Sequence, residues 1–286
     1  MQNIMTSNPV SSGADIKLLV VDIDGTIAGK SNNIREAVKQ AIFAAQSRGV
    51  QVAVATGRMY RSALRFHRDI GSTLPLISYQ GAWIQDPASQ KMLRHQPLSK
   101  QTALELLEHF EEPDLRSLLS VNFYINDQLY VPEITAATKL YAERSGIQPI
   151  AITDLRRNIP GEPTKVLALC ENPGVLDGLL SSMRERYTPA ELYLTRSVAT
   201  FFEATHPLVN KGAAVQYIAE DLLGLQPENV MAIGDNFNDV EMISYAGVGV
   251  AMGNAPSEVK AGANWVAPDV EEDGVAAAIA QFILGS

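Results

Sequence analysis

The chain has 286 residues, of which 46% are hydrophobic and 19% are charged, an ordinary balance for a globular protein. The composition excludes a wholly disordered chain, a collagen-like fibre and a coiled coil. The formal net charge of −9 argues against nucleic-acid binding, which is normally done with a basic face. The single cysteine, Cys170, excludes an intrachain disulfide and a thiolate zinc cage, and it fits a reducing, cytoplasmic compartment.

The first 14 residues are polar and rich in Ser and Asn, and we predict a flexible tail there. They have no charged segment followed by an apolar one, as a signal peptide would. No run in the sequence approaches the 18 apolar residues that indicate a transmembrane helix. We therefore expect a cytoplasmic protein that does not bind a membrane.

Five short runs rich in Val, Ile and Leu alternate with segments of other character. Each run is apolar at successive positions, which is typical of strands buried on both faces of a parallel sheet. The five predicted strands are Ile16–Val21, Val50–Ala55, Leu74–Ser78, Glu228–Gly234 and Val248–Met252.

Helical periodicity appears between several of these runs. One helix is predicted after Asn32 or Asn33, either of which could be its N-cap, and Gly49 is placed to end it. A second is predicted over Lys211–Leu223, closed by Gly224. The alternation of strand and helix predicts right-handed βαβ units and a doubly wound α/β domain.

Residues 84–205 have a different sequence pattern, in which predicted helices are separated by strands that alternate polar and apolar residues. We predict a second, α+β domain inserted into the first, so that residues 15–83 and 206–286 together make the sheet domain. The predicted helices of the insert are Ser99–Glu112, Glu133–Arg144 and Pro173–Arg186, and its predicted strands include Ser117–Ile125, Lys165–Cys170 and Leu192–Phe202.

The most informative motif is VVDIDGT, residues 20–26, in which an apolar run ends in Asp22 and Asp24 follows two positions later. Sites in open α/β sheets form at the carboxyl ends of strands. Two carboxylates there concentrate negative charge and favour a divalent cation, while Gly25 permits a tight turn. A polar strand-to-loop turn without function is the alternative for this motif taken alone.

Two further motifs could bind an anion. In ATGR, residues 55–58, the Thr56 hydroxyl and the N–H groups of Thr56 and Gly57 precede a predicted helix; an ST-turn with a helix cap is the alternative. Lys211 begins a predicted helix, where its charge opposes the macrodipole. A bound phosphate or neighbouring carboxylates would compensate that charge, and a solvated surface lysine is the alternative.

The fourth motif, IGDNFND at residues 233–239, follows another buried run. Asp235 stands at the end of the predicted strand, and Asn238 and Asp239 enter the next helix. The helix dipole favours Asp239 in that position. An N-capping cluster is the alternative for this motif alone.

Together the four motifs resemble those of the haloacid dehalogenase (HAD) superfamily of phosphohydrolases, and they occur in the same chain order. The long interval from Thr56 to Lys211 resembles the position of the large α/β cap of the Cof-type subfamily, as does MGNA at residues 252–255. The resemblance implies a doubly wound, Rossmann-like core with an inserted α+β cap. One departure is QGA at residues 80–82, where the subfamily usually has NGA, and Gln80 receives no role.

The resemblance implies a Mg²⁺-dependent phosphatase that acts through an aspartyl-phosphate. Asp22 would attack phosphorus, and Asp24 would protonate the leaving alcohol and then deprotonate water. The carboxylates of Asp22 and Asp235 and the backbone carbonyl of Asp24 would hold Mg²⁺. Asp239 and Arg58 would support the site. The groups implied to bind the phosphoryl oxygens are Thr56, the N–H groups of Ile23 and Gly57, Asn238 and Lys211.

The implied partner is a small phosphorylated metabolite, either a sugar phosphate or a phosphorylated cofactor. A HAD phosphomutase and a sucrose- or mannosyl-phosphate-type phosphatase are alternatives, because they resemble the same layout. The non-enzyme alternatives are a phosphate-ester binding protein and a receiver-like phospho-acceptor protein. The order of Asp22 and Asp24 and the long insert argue against a receiver, and a binding protein would not need Asp24.

Overall fold

The computed structural model describes residues 15–285, so the predicted tail at residues 1–14 lies outside the described part. Within those residues no helix has the length and apolar character needed to cross a membrane. The chain folds into two compact units. The first unit includes residues 15–55, 66–75 and 211–285, and the second consists of residues 56–65 and 76–210.

Fourteen strands and eleven α-helices are formed within the described residues. The strands are β1 (Leu18–Val21), β2 (Gln51–Val54), β3 (Leu76–Ser78), β4 (Trp83–Gln85), β5 (Met92–His95), β6 (Ser120–Ile125), β7 (Gln128–Val131), β8 (Pro149–Ala151), β9 (Lys165–Leu169), β10 (Tyr193–Thr195), β11 (Phe201–Thr205), β12 (Val230–Gly234), β13 (Val248–Ala251) and β14 (Trp265–Val266). The helices are α1 (Glu36–Ser47), α2 (Tyr60–Asp69), α3 (Lys100–Phe110), α4 (Pro113–Arg116), α5 (Ala136–Ser145), α6 (Leu155–Asn158), α7 (Pro173–Arg186), α8 (Lys211–Gln216), α9 (Val240–Tyr245), α10 (Ser257–Ala261) and α11 (Gly274–Ile279).

The first unit is built on a five-stranded parallel sheet with the order β14-β13-β12-β1-β2. The residues of β1, β12 and β13 are buried throughout, which confirms the prediction that these apolar runs form interior strands of a parallel sheet. Strand β1 lies between β2 and β12, with Leu18 paired to Gln51 on one side and to Val230 on the other. The α/β class with a parallel sheet is therefore confirmed.

Strand β3 is an exception to the parallel pattern. In the predicted run Leu74–Ser78 only Leu76–Ser78 forms a buried strand, and it belongs to an antiparallel sheet of β3, β4 and β5 in the second unit. A 3-10 turn at Tyr79–Gly81 reverses the chain directly after β3, so that β4 becomes its neighbour. A local hairpin needs no crossover, whereas parallel pairing does. Strand β14, with two residues, was too short for a periodicity-based prediction.

The helix ends in the first unit follow the predictions only in part. Gly49, at φ +85°, and Gly224, at φ +65°, end their helices as predicted. Helix α1 begins later than predicted, with Arg35 as its N-cap and no capping side chain. Asn32 and Asn33 are therefore not caps; Asn33 instead donates to the carbonyl of Ser31 at 3.1 Å. Helix α8 continues as a π-helical segment over Tyr217–Leu222.

The second unit contains a six-stranded sheet with the order β10-β11-β9-β6-β7-β8. One face packs apolar residues such as Phe123, Val166 and Phe202 against the buried side of α3 and α7. The register places Asn122, Tyr124, Lys165 and Glu203 on the opposite face. This sheet is antiparallel except for the β7–β8 pair.

Two predictions in the second unit need correction. The predicted strand Leu192–Phe202 is a hairpin of β10 and β11, because a turn at residues 197–200 interrupts it. The helix predicted over Glu133–Arg144 begins only at Ala136, after Thr135 caps it by accepting from the N–H of Thr138 at 3.0 Å. Helix α7 has the predicted bounds.

Candidate active site

Two neighbouring strands of the first unit end in aspartates. Asp22 directly follows β1, and Asp235 directly follows β12, which pairs with β1 in parallel. Carboxyl ends of parallel strands meet at one edge of a sheet, where sites in this architecture form. Ligand oxygens of Asp22, Asp235 and Asp239 lie within 4.8 Å of one another.

Lys211 is the first residue of α8, as predicted, and it is completely buried beside these carboxylates. Its Nζ donates to Asp22 Oδ1 at 2.6 Å and to Asp239 Oδ1 at 2.5 Å. Burial alone would lower the pKa of Lys211, but the charges of Asp22 and Asp239 raise it above its ordinary value. The lysine is therefore fully charged at neutral pH, and carboxylates compensate its position at a helix N-terminus.

Asp239 is held on both of its oxygens. While Oδ1 accepts from Lys211, Oδ2 accepts from the backbone N–H of Asp235 at 2.8 Å and of Asn236 at 3.0 Å. A Cβ on Gly234 would lie 2.4 Å from the Cβ of Asp239, so only glycine fits at the end of β12. Asp239 therefore fixes the turn after β12 and orients Lys211.

The loop after β1 packs tightly against Asp235. Gly25 has φ +78°, and a Cβ there would lie 2.1 Å from Asp235 Oδ2. Asn254 donates to the carbonyl of Gly25 at 2.9 Å and to Asp235 Oδ2 at 3.1 Å, while its Oδ1 accepts from the N–H of Val270 at 3.1 Å. Sequence reasoning gave Asn254 no role, although the MGNA motif contains it.

The carboxylates outnumber the cation that faces them. Burial raises the pKa of Asp22 to about 7, and the charges of Asp239 and Asp24 add to this while Lys211 opposes it. Burial, together with the charges of Asp239 and Asp22, raises the pKa of Asp235 to about 9. A second positive charge at this cluster would relieve the repulsion.

The donor set suits a hard divalent cation, because carboxylate oxygens are the ligands such ions prefer. Asp22 and Asp235 each keep coordinating capacity, since Lys211 and Asn254 are the hydrogen-bond donors to their carboxylates within the described residues. Asp239 has both oxygens engaged, which makes it a supporting residue here. The residues present therefore fit a divalent metal ion.

Asn238 and Ile23 also belong to the first unit. Asn238 is buried in a 3-10 turn over Phe237–Asp239. The carbonyl of Ile23 accepts from the N–H of Ala28 at 2.9 Å, whereas the Ile23 N–H donates no hydrogen bond within residues 15–285.

Thr56, Gly57 and Arg58 form a turn in the second unit. The Thr56 hydroxyl accepts from the N–H of Arg58 at 3.2 Å, which is the ST-turn that the sequence offered as an alternative. The N–H of Gly57 donates no hydrogen bond in the described part of the chain, so it is available to an anion. The structural turn and a binding function are therefore compatible.

Comparison with known proteins identifies the family. The profile of the haloacid dehalogenase-like hydrolases matches residues 19–279. The 5-amino-6-(5-phospho-D-ribitylamino)uracil phosphatase YcsE of Bacillus subtilis is 32% identical over 270 residues, which cover 94% of this chain and 97% of that protein. The pyridoxal phosphate phosphatase YbhA of Escherichia coli is 27% identical over 284 residues, which cover 93% and 97%.

Among solved structures, a haloacid dehalogenase-like hydrolase from Bacteroides thetaiotaomicron matches with a TM-score of 0.80 and 26% identity, covering 92% of this chain and 98% of that one. The fold and the family therefore agree. The chain belongs to the haloacid dehalogenase-like hydrolases, and it is an enzyme.

Proposed function

We propose that this enzyme is a Mg²⁺-dependent phosphatase of the Cof-type branch that hydrolyses small phosphomonoesters through an aspartyl-phosphate. The observation that carries the proposal is the buried Lys211, bonded to both Asp22 and Asp239 beside Asp235. The two named relatives support a phosphorylated cofactor or a related small phosphate ester as the substrate class.

In the proposed reaction a carboxylate oxygen of Asp22 attacks phosphorus, and the bond from phosphorus to the leaving oxygen breaks. Asp24 gives its proton to the leaving alcohol and later takes a proton from the water that hydrolyses the aspartyl-phosphate. Lys211 holds Asp22 in one orientation for attack. Positioning and charge stabilisation account for most of the rate in phosphoryl transfer.

The carboxylates of Asp22 and Asp235 and the backbone carbonyl of Asp24 would hold Mg²⁺. When bound, the ion supplies the positive charge that lets a phosphate dianion approach these carboxylates. Asn254 orients the Asp235 carboxylate. Asp239 supports the site through Lys211 and the turn after β12.

The phosphoryl oxygens would be bound by donors of several kinds: a hydroxyl, backbone N–H groups, an amide and a cation. The N–H groups of Ile23 and Gly57 suit this role because no acceptor within the described residues occupies them. Arg58 is a supporting residue, since its backbone closes the turn that contains Gly57. The proposed donors are Thr56, Ile23, Gly57, Asn238 and Lys211.

The proposed function predicts that phosphate release depends on a divalent metal. Screening phosphomonoesters with Mg²⁺ should identify substrates, and EDTA should reduce the rate by at least about tenfold, because the uncompensated carboxylates then repel the substrate. Excess Mg²⁺ should restore it. Undiminished release in EDTA would overturn the metal-dependent scheme.

The same screen separates the alternative functions. A mutase would produce an isomerised sugar phosphate, and a binding protein would release no phosphate.

The proposed metal site also predicts that Mg²⁺ stabilises the protein more at pH 8 than at pH 5. The folded-state pKa of Asp22 and of Asp235 lies above the ordinary value near 3.9, so both carboxyls hold protons at pH 5 that the ion must displace. A raised folded-state pKa stabilises the fold only while the carboxyl is protonated. The free energy of unfolding of the metal-free protein therefore falls as the pH rises from about 4 through these raised pKa values.

Thermal unfolding with and without Mg²⁺ at the two pH values measures this difference. The variant Asp235→Asn is the control, because it keeps the shape of the side chain and removes one proposed ligand charge. Equal shifts in unfolding temperature at both pH values would contradict the prediction, as would an undiminished shift in Asp235→Asn.

A further inference from the structure

The turn at Thr56–Arg58 is held at almost every backbone group by its own unit. Four hydrogen bonds from elsewhere in the second unit fix it, and the Gly57 N–H stands apart from them. These bonds are Thr56 N–H to Ile77 O at 3.0 Å, Gln80 N–H to Thr56 O at 3.0 Å, Tyr79 N–H to Arg58 O at 2.9 Å, and Lys165 Nζ to Gly57 O at 2.7 Å.

The bond from Lys165 is unusual because it comes from a buried charge. The side chain of Lys165 is 4% exposed, and that of its partner Glu203 is 0% exposed, with Nζ 2.9 Å from Glu203 Oε2. Burying an ion pair carries a large desolvation cost, so a buried pair is weak evidence for a purely stabilising role. Lys165 also donates to the Gly57 carbonyl at 2.7 Å, so the buried pair is in direct contact with the turn.

Gln80 joins the same network from the other side of the turn. Its Nε2 donates to Glu203 Oε2 at 3.2 Å. That same Nε2 would lie 2.3 Å from a Cβ built on Gly57, so the Gln80 side chain packs directly against the glycine. Glu203 Oε1 accepts from Ser197, which satisfies its second oxygen. The ring of contacts from Gly57 through Lys165, Glu203 and Gln80 is therefore closed.

The backbone beside the turn contains two residues in the left-handed region. Tyr79 has φ +51° and Gln80 has φ +61°, and both residues are fully buried. Non-glycine residues in this region are energetically unfavourable and persist where the surrounding contacts hold them, commonly at functional sites. The contacts of the Gln80 side chain with Glu203 and Gly57 hold Gln80 in this conformation.

The platform for the network is the six-stranded sheet. Lys165 lies on β9 and Glu203 on the adjacent β11, on the face opposite the apolar core of the unit. Rings of Tyr79 and Tyr124 stand 6.0 Å and 5.1 Å from Nζ of Lys165, which restricts the path of the side chain. A rigid sheet therefore places the ammonium group at the Gly57 peptide.

We infer that Lys165, Glu203 and Gln80 are positioning residues that fix the two peptide units meeting at Gly57, so that the Gly57 N–H remains directed toward a phosphoryl oxygen. The inference rests on the proposed function, in which Gly57 binds the phosphoryl group. The Gly57 N–H shares a planar peptide unit with the Thr56 carbonyl, which accepts from the N–H of Gln80 at 3.0 Å. Lys165 holds the next peptide unit through the Gly57 carbonyl at 2.7 Å, so the units on both sides of the Gly57 Cα are fixed. Donors of this kind act through being held in place before the substrate arrives.

The test measures the affinity for inorganic phosphate, as a competitive inhibitor, together with kcat/KM for a generic phosphate ester. Lys165→Met should weaken phosphate binding and lower kcat/KM, each by about 10- to 100-fold, the scale of a misplaced or lost donor. Its thermal stability should fall as well, because Glu203 stays buried without its cationic partner.

The double variant Lys165→Met/Glu203→Gln separates positioning from stability. It buries no unpaired charge, and its amide can accept from Gln80 and donate to Ser197, so thermal stability should recover toward that of the wild type. Phosphate affinity should stay low, because nothing replaces the bond to the Gly57 carbonyl. If Lys165→Met does not fold, the double variant provides the same comparison with the wild type.

Two control variants test whether loss of a lysine or loss of stability alone changes phosphate affinity. Lys139→Met removes an exposed lysine of the same unit and should change phosphate affinity by less than about twofold. Leu179→Ala opens the core beneath the opposite face of the sheet, so it should lower thermal stability and leave phosphate affinity unchanged.

Wild-type phosphate affinity in the double variant would overturn the inference and leave the proposed function standing. Wild-type protein that neither releases nor binds phosphate would overturn both. Weakened phosphate binding in the double variant, together with recovered stability, is the result that supports the positioning role.

Discussion

The Asp22→Asn variant is expected to fold like the wild type and to release phosphate at least about 10⁴-fold more slowly, the scale of losing a nucleophile. An amide of the same shape cannot attack phosphorus in place of the carboxylate. Stability should be kept at neutral pH, because burial already penalises the Asp22 charge and Lys211 retains its bond to Asp239.

Steady-state phosphate release with Mg²⁺ and the unfolding temperature together measure this prediction. Asp69→Asn is a matched control, since Asp69 is a half-exposed aspartate of α2 paired with Lys39 at 3.7 Å, and its loss should leave turnover unchanged. Steady-state turnover retained in Asp22→Asn would refute Asp22 as the nucleophile. The proposed chemistry would then need a different attacking group.

The second large effect is expected from Lys211→Met, which should lower phosphate release by about 10³-fold and also destabilise the fold. Removing the buried cation leaves Asp22 and Asp239 without its charge and its two hydrogen bonds. Breaking a buried ion pair by removing one partner costs about 3–5 kcal/mol. Because Asp22 and Asp235 are proposed metal ligands, added Mg²⁺ should recover part of the stability but not the rate.

Denaturant unfolding with and without Mg²⁺ gives the free energy of unfolding, and phosphate release gives the rate. Lys30→Met, an exposed lysine in the same unit, is the control and should match the wild type in both. A variant Lys211→Met with wild-type stability and turnover would show that the ion pairs at Lys211 contribute nothing, which would remove the observation on which the proposed function depends.

Sequence reasoning predicted the sheet of the first unit because its signals are local. Short apolar runs indicate strands whose carboxyl ends carry the motifs, and Asp22 and Asp235 directly follow β1 and β12 accordingly. Lys211 was predicted at a helix start for the same reason. Its contact with Asp22 could be expected only from the combination of motifs.

The remaining features depend on contacts that no local pattern encodes. The bond between Lys165 and Gly57 joins residues 108 positions apart, and that between Gln80 and Glu203 joins residues 123 apart. Gln80 was noticed only as a departure from the usual motif. The pairing of β3 was wrong because a strained turn at Tyr79 and Gln80, not hydropathy, selects its neighbour.

The separation of Asp22 and Lys211, 189 positions apart, has a consequence for synthesis on the ribosome. Strands β1 and β2 emerge early, but β12, the second neighbour of β1, is translated only after residues 76–210 of the second unit. The continuous stretch 76–210 can begin to fold while the nascent chain still exposes one edge of β1. Because non-local strand pairing is slow and open edges aggregate, chaperone protection of nascent β1 would matter most in that interval.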